Sequence, residues 1–263
     1  MDIDLKGRTA LVTGSTGGIG YAVAAALAAL GATVAVNGRT AERVEAAVGR
    51  LTAERPGGRF RAAVGDVSSE AGTADLLAAL PAVDILVNNA GIFEPKPFFE
   101  IDDADWRRVF EVNVMSGIRL SRAYGPAMVA AGWGRIVFVA SESAINIPQE
   151  MVHYGTTKTA QLAVARGLAE TVGGSGVTVN SVLPGPTLTE GVAEFLKSMG
   201  GAGEDLEEVG RAFIRDNRPT SLLGRLARPE EVANMVAYLC SPAASATTGA
   251  ALRVDGGVLR GIA

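Results

Sequence analysis

The feature that most constrains this chain is a glycine cluster at a fixed place. Gly14, Gly18 and Gly20 follow directly on the short apolar run Thr9–Val12 and lead into an alanine-rich stretch reaching about Leu30. Glycine lets a strand turn tightly into a helix and lets a pyrophosphate approach backbone N–H groups at the helix N-terminus. The spacing is Gly-x3-Gly-x-Gly, which departs from the Gly-x-Gly-x-x-Gly fingerprint of the commonest dinucleotide folds. Any tight turn can use such a cluster. Its place after the first strand is what points to a nucleotide.

The chain then repeats one alternation. Gly31 closes the first helix, and 33–36 is the next apolar strand. Thr40 suits the N-cap of a helix over 40–51. Arg59–Val64 reads as a third strand, 69–79 as a helix and 84–87 as a fourth strand. A long, mostly helical stretch covers 102–130, with Asp102 as its cap and Gly117 and Gly125 as soft spots. Beyond it come a buried strand at 135–140, a helix at 150–172 and a strand at 177–182. Helical pattern over 188–218 is interrupted by the glycines at 200–203, Pro229 opens a last helix, and 250–254 closes as a strand. Strands alternating with helices predict an α/β fold: one Rossmann-like, doubly wound domain over 1–263, a parallel seven-stranded sheet with helices on both faces.

Composition closes off other classes. Hydrophobic residues make up 48% and charged residues 20%, the balance of a folded globular chain. The formal charge of −4 offers no basic stripe to a nucleic-acid backbone. Cys240 is the single cysteine, which excludes an internal disulfide framework and a cysteine-based zinc cluster. Every apolar run is broken by Gly, Pro or charge before membrane-spanning length, and the N-terminus lacks a signal-peptide pattern. The expectation is a cytoplasmic protein with no nucleic-acid, membrane or metal partner.

Chemistry is suggested by Tyr154 and Lys158. Four apart on a helix, they share a face. A tyrosine with a pKa of about 10 is a sluggish acid at neutral pH, and a fixed cation nearby favours its phenolate. Such a pair can pass a proton to or from an oxygen. A surface tyrosine beside a solvated lysine has the same spacing.

Several motifs together resemble the short-chain dehydrogenase/reductase family. TGSTGGIG at 13–20 resembles its cofactor motif and NNAG at 88–91 its second motif. Asn113, Ser141, Tyr154 and Lys158 match its catalytic tetrad in order and spacing, with Ser141 thirteen residues before Tyr154. Asp66-Val67, Pro184-Gly185 and the DGG at 255–257 match further landmarks, so the resemblance runs from about Leu5 to Val258. It implies an NAD(P)(H)-dependent enzyme moving a hydride between nicotinamide and a carbonyl or secondary alcohol, for example a 3-oxoacyl reductase. Tyr154 would be the general acid/base. Lys158 would lower its pKa and bind the ribose, Ser141 would hold the carbonyl oxygen, and Asn113 would support a proton-relay water. Cofactor contacts are implied for Gly14, Ser15, Thr16, Gly18, Ile19, Gly20, Arg39, Asp66, Val67, Asn88, Ala90, Gly91, Pro184, Gly185, Thr187 and Thr189, besides Tyr154 and Lys158.

Within that resemblance, NAD-preferring members carry an acidic residue at the end of the second strand. Here the position is Gly38, followed by Arg39, which suits the 2′-phosphate of NADP. Position 17, often basic in NADP users, is Gly. NADP(H) is favoured, with NAD(H) as the alternative. Tyr154-x3-Lys158 is a narrower spacing than enoyl reductases of the superfamily use, and a non-catalytic NADP-binding regulator of the same fold is the competing function. A homo-oligomer, tetramer or dimer, is implied through the helices at 102–130 and 150–172, where Ala160, Ala163 and Gly167 permit close packing, and through the C-terminal strand.

The substrate is a small molecule of open identity. Leu188, Val192, Phe195, Leu196 and Met199 fall on one helical face, which serves equally as a lid over the site, at about 188–223 with a hinge at 200–203, or as ordinary packing. Glu142, beside Ser141, either meets a substrate hydroxyl or amine or points outward. His153 reads as pocket wall or surface rather than catalytic, Cys240 as core, and Glu207 with Glu208 as solvated.

Overall fold

A computed structural model describes residues 3–199 and 205–262. Seven parallel strands form one sheet in the order β3-β2-β1-β4-β5-β6-β7. They are β1 Thr9–Val12, β2 Thr33–Gly38, β3 Arg59–Val64, β4 Ile85–Asn88, β5 Gly134–Val139, β6 Val177–Pro184 and β7 Ala251–Val254. The predicted strands all form, most of them extended or shifted at their ends by a residue or two. β1 pairs with β2 on one side, Leu11 opposite Ala35, and with β4 on the other, Leu11 opposite Leu86. The chain therefore reverses its direction of travel across the sheet between β1 and β4. In an open α/β sheet that point is where ligands bind, beyond the carboxyl ends of the strands.

Side chains that alternate along each strand divide the core into two layers. Ala10, Val12, Val34, Val36, Ile85, Val87, Val137 and Val139 face α1 (Gly18–Ala29), α2 (Ala41–Glu54) and α9 (Pro229–Leu239). Leu11, Ala35, Leu86, Ile136 and Phe138 face α3 (Glu70–Ala79), α5 (Ser116–Ala130) and α6 (Val152–Thr171). Both faces are covered, as a sheet of near-continuous apolar strands requires. Caps behave as their sequences dictate: Ser69 accepts from Gly72 N, and Asp102 from Asp105 N at 2.8 Å.

Two helical expectations need correction. The stretch at 102–130 is not one α-helix: α4 (Asp103–Phe110) passes through a π turn at Glu111–Met115 before α5. Gly117 is a close contact rather than a soft spot, because a Cβ there would lie 2.7 Å from the Phe138 ring. The 188–218 stretch is helical on both sides of 200–203 as expected, in α7 (Glu190–Met199) and α8 (Leu206–Asn217). Leu196, Ile214 and Leu226 form a third small cluster between them, flanked by Leu188, Val192 and Phe195. The glycines at 200–203 and the Met199 side chain lie outside the described residues. No helix among those described is long and apolar enough to cross a membrane, and no cluster of potential metal ligands occurs among them.

Candidate active site

The first turn is held shut by side chains from the neighbouring strands. Thr13 Oγ1 accepts from the N–H groups of both Asn89 and Ala90 at 2.9 Å, and Asn89 Nδ2 donates to Thr13 O at 2.9 Å and Gly14 O at 3.1 Å. Gly14 takes a φ of 60°, a conformation that disfavours any side chain, and its N–H donates to Asn37 Oδ1 at 3.2 Å. Gly20 serves the chain itself rather than a ligand. A Cβ there would lie 2.6 Å from Gly14 O and 2.5 Å from Asn89 Nδ2. Ser15 is fully buried, donating to Val12 O at 2.7 Å and accepting from Asn37 N at 2.9 Å.

Two cavities open beyond the strand ends. The larger, about 620 Å³, is lined by Gly14, Thr16, Gly38, Arg39, Arg43, Asp66, Val67, Ala90, Gly91 and Ile92 among others. Arg39 and Arg43 are exposed and make no ion pair among the described residues. Asp66 spends Oδ1 on a local turn, accepting from Ser68 N at 3.0 Å and its hydroxyl at 2.7 Å. The second cavity, about 320 Å³, is lined by Ile19, Asn89, Gly91, Ile92, Ser141, Glu142, Tyr154, Lys158, Pro184, Gly185, Thr187, Thr189 and an apolar wall including Phe93, Met151, Val192, Phe195 and Phe213. Gly91 and Ile92 belong to both, which makes one groove of the two.

That groove has the features of a dinucleotide cradle. α1 has no side-chain cap and no acidic residue in its first turn, so its own side chains leave its leading N–H groups uncapped. The carboxylate of Glu190 lies close to this turn, its Oε2 2.7 Å from where a Cβ on Gly17 would stand. Guanidinium groups lie at the far end and a buried ammonium at the near end. The residues present fit a phosphate-bearing dinucleotide.

Ser141, Tyr154 and Lys158 are brought together as the spacing predicts. Ser141 ends the loop after β5, where its Oγ accepts from Ser143 N at 3.1 Å. Tyr154 is half-buried, with Phe93 edge-on at 6.2 Å between ring centroids. Lys158 Nζ donates to Val139 O at 2.9 Å and lies 5.6 Å from the Tyr154 ring centroid. Burial pushes the Tyr154 phenol up to about 12, against the pull of a Ser141 hydrogen bond; Glu142 pushes it further and Arg218 draws it back. Burial alone brings Lys158 down to about 7. In the chain by itself, then, desolvation outweighs any lowering of Tyr154 by Lys158.

Five expected contacts lie off the cavity walls: Asn113, Asn88, Ser15, Gly20 and Gly18, where a Cβ would meet Thr189 at 3.2 Å. Asn113 sits in the π turn, buried, accepting from Ile92 N at 2.8 Å and donating to Ile92 O and Thr157 Oγ1 at 3.0 Å. Asn88 is buried at the end of β4, donating to Ser121 Oγ at 3.2 Å. Ser15 and Gly20 shape the turn from within. Glu142 does not point outward: it is 2% exposed and accepts from Arg218 Nε at 2.8 Å, while burial raises its pKa and Arg218 pulls it down. His153, expected on a wall or surface, is fully buried against Trp106 with neither ring nitrogen hydrogen-bonded, and burial lowers its pKa. Cys240 is core, as expected.

Sequence reasoning did not find Arg43, Asn89 or Arg218. The first signals itself only as the third residue beyond a capped Thr40, and the last lies 76 residues from its partner.

Comparison with known proteins agrees with this geometry. Residues 14–259 match a family model described as enoyl-(acyl carrier protein) reductase. The uncharacterized oxidoreductase YvaG of Bacillus subtilis is 50% identical, covering 100% of both chains. The 3-oxoacyl-[acyl-carrier-protein] reductase FabG of Aquifex aeolicus is 34% identical over 98% of this chain and 100% of its own. Among solved structures, the L-sorbose reductase of Gluconobacter frateurii, complexed with NADPH and L-sorbose, superposes with a TM-score of 0.92 at 31% identity, covering 100% of both chains. The glycine turn, the Tyr154–Lys158 helix and these matches agree: the chain belongs to the short-chain dehydrogenase/reductase family of NAD(P)-dependent oxidoreductases.

Proposed function

We propose that the protein is an NADP(H)-dependent carbonyl reductase or alcohol dehydrogenase acting on a small molecule. The observation that carries this reading is the convergence of Ser141, Tyr154 and Lys158 on one cavity that continues into a dinucleotide-sized groove. When bound, the cofactor supplies or accepts the hydride. Tyr154 passes the proton to or from the substrate oxygen, and Ser141 holds that oxygen as its charge develops. Lys158, anchored on Val139 O, reaches the ribose end of the groove and favours the phenolate when charged. Asn113 positions Ile92 and the N-terminal part of α6, and supports the water path to Lys158. Arg39 and Arg43 favour NADP(H) over NAD(H), since a 2′-phosphate there meets two unpaired guanidinium groups. The NADPH held by the sorbose reductase supports the same choice.

The three-residue interval between Tyr154 and Lys158 supports carbonyl over enoyl reduction. Helices α7 and α8 act as the lid, with Val192, Phe195 and Phe213 as its apolar underside. The protein is cytoplasmic and assembles as a homo-oligomer, tetramer or dimer, through α5 and α6, where Ala163 and Gly167 are exposed.

The reading is tested with a panel of 3-oxoacyl thioesters, steroids, sugars and diketones followed by NADPH absorbance. Turnover of at least one class is expected, with Tyr154→Phe slowing it roughly 10²–10⁴-fold while nucleotide affinity stays within a few-fold. Tight NADP(H) binding with no turnover of any class refutes it in favour of a non-catalytic nucleotide-binding protein.

A further inference from the structure

The turn after β5 closes on itself. Ser141 Oγ accepts from Ser143 N at 3.1 Å, Ser141 O from Ala144 N at 3.0 Å, and Glu142 O from the amides of Ile145 and Asn146 at 3.0 Å. Thr159 Oγ1 on α6 donates to Ala144 O at 2.7 Å. The direction of the Ser141 hydroxyl is therefore set by how the whole turn is held. One side chain of that turn reaches a distant part of the chain. Glu142 Oε1 accepts from Ser143 Oγ at 3.3 Å and from Nε of Arg218, at the C-terminal end of α8, at 2.8 Å.

Arg218 stands at the anchored end of α8. Just beyond it, Thr220 Oγ1 donates to Val258 O at 2.6 Å, and the amides of Leu222 and Leu223 donate to Gly256 O at 2.9 Å. Just before it, Phe213 and Asn217 line the substrate cavity that Ser141 and Glu142 also line. The bond from Arg218 to Glu142 thus joins two walls of one cavity.

Stability does not account for that bond. The two side chains are only 11% and 3% exposed, and the desolvation of such a pair offsets its attraction unless every remaining polar atom is satisfied. Glu142 Oε2 is sealed from solvent without a hydrogen-bond partner. Apolar side chains of similar size commonly hold two walls together as well. What they lack is direction, because a hydrogen bond constrains the angle between the groups it joins.

We propose that Glu142 and Arg218 are a positioning pair for the oxygen-holding hydroxyl, transmitting the placement of α8, and of a substrate packed on it, to Ser141. The proposal rests on the carbonyl reading for what Ser141 does, and on the hydrogen bonds for the link itself. A substrate seated against Phe213 holds α8 where Glu142 keeps the Ser141 turn aligned. Binding energy gained away from the reacting carbon then appears in turnover as well as in affinity.

Amide hydrogen exchange of the full-length protein without nucleotide reads the link, and turnover reads its use. Arg218→Met should speed exchange over 143–146 roughly tenfold or more while β1 and β4 keep their protection. Glu142→Gln, which keeps the shape of the pair and weakens its bond, should give a smaller change of the same kind. Replacing both residues, Glu142→Leu with Arg218→Met, should leave the melting temperature near that of the wild type. With the best substrate of the panel, that double variant should lose roughly tenfold or more in kcat while KM for NADPH stays unchanged. Unchanged exchange over 143–146 in Arg218→Met overturns the proposal, as does a loosening spread evenly over the sheet. So does a double variant that turns over like the wild type. If the wild type turns over no substrate, the carbonyl reading fails, and the exchange result alone decides the link between α8 and the turn.

Discussion

Asn113 and Ile92 exchange two hydrogen bonds: Ile92 N–H donates to Asn113 Oδ1 at 2.8 Å, and Asn113 Nδ2 donates to Ile92 O at 3.0 Å. The same amide group reaches Thr157 on α6. One side chain in a π turn thus fixes the loop after β4, on which both cavities depend. Asn113→Ala leaves two main-chain groups of Ile92 without partners, at about 2–4 kcal/mol for the two. The expected melting temperature falls by roughly 5–15 °C. Thermal denaturation followed by circular dichroism checks it, and an unchanged transition would contradict the exchange.

Arg39 and Arg43 should set cofactor preference jointly. Removing one charge-assisted partner of a phosphate costs about 1.5–3 kcal/mol, so Arg39→Ala should lower the NADP/NAD efficiency ratio roughly tenfold or more, and the Arg39→Ala/Arg43→Ala pair further. Steady-state kinetics with both cofactors reads this. A ratio unmoved in the double variant would place the preference elsewhere.

Gly20→Ala should damage the protein through its own backbone. The new methyl would have to displace Gly14 O or the Asn89 amide, at about 1–3 kcal/mol, and would distort the turn that receives the pyrophosphate. Lower stability together with weaker nucleotide binding is expected by denaturant titration and fluorescence. Loss of affinity with stability intact would mean that Gly20 makes room for the ligand instead.

Lys158 gives a pH signature to the cofactor-free protein. Its folded pKa is lowered to about 7 from 10.5 by burial, so between those values the unfolded chain holds the proton that the folded chain releases. Stability then rises with pH, approaching about 1.4 kcal/mol per unit. Cys240, whose thiol burial raises from 9.0 to about 12, acts in the opposite sense as the unfolded thiol ionises near 9. The clean window is therefore pH 7–8.5. Urea denaturation should show a rising wild-type stability there that Lys158→Met flattens. Parallel lines for the two proteins would contradict the shift.

The sheet was legible because its strands are short apolar runs bounded by glycine, proline and charge, and because β1 ends on the glycine turn. That Ser141, Tyr154 and Lys158 line one cavity was legible from order and spacing, down to Tyr154 and Lys158 sharing one helix face. Direction of side chains was less so. Asn88 and Asn89 are adjacent in sequence, yet strand alternation sends Asn88 to Ser121 and frees Asn89 for the turn. His153 follows from helix geometry that points it away from Tyr154, but only the tertiary packing of Trp106 seals it from water. The π turn at 111–115 leaves no mark in hydrophobic periodicity, since one added residue in a turn is lost among the flanking helices. Arg218 meets Glu142 only through the return of the chain after β6, and no local pattern announces a partner at that distance.

The groove draws its two ends from different parts of the chain. Its nucleotide end belongs to loops after β1 through β4, and much of its substrate end to α7 and α8 after β6. The two meet at Gly91 and Ile92. Replacing the helices after β6 can therefore change the substrate end while leaving the nucleotide end untouched, whereas an alteration at the junction reaches both. A scaffold divided this way can diversify its substrates by exchanging one segment, and attempts to redirect this protein should begin there rather than at β4.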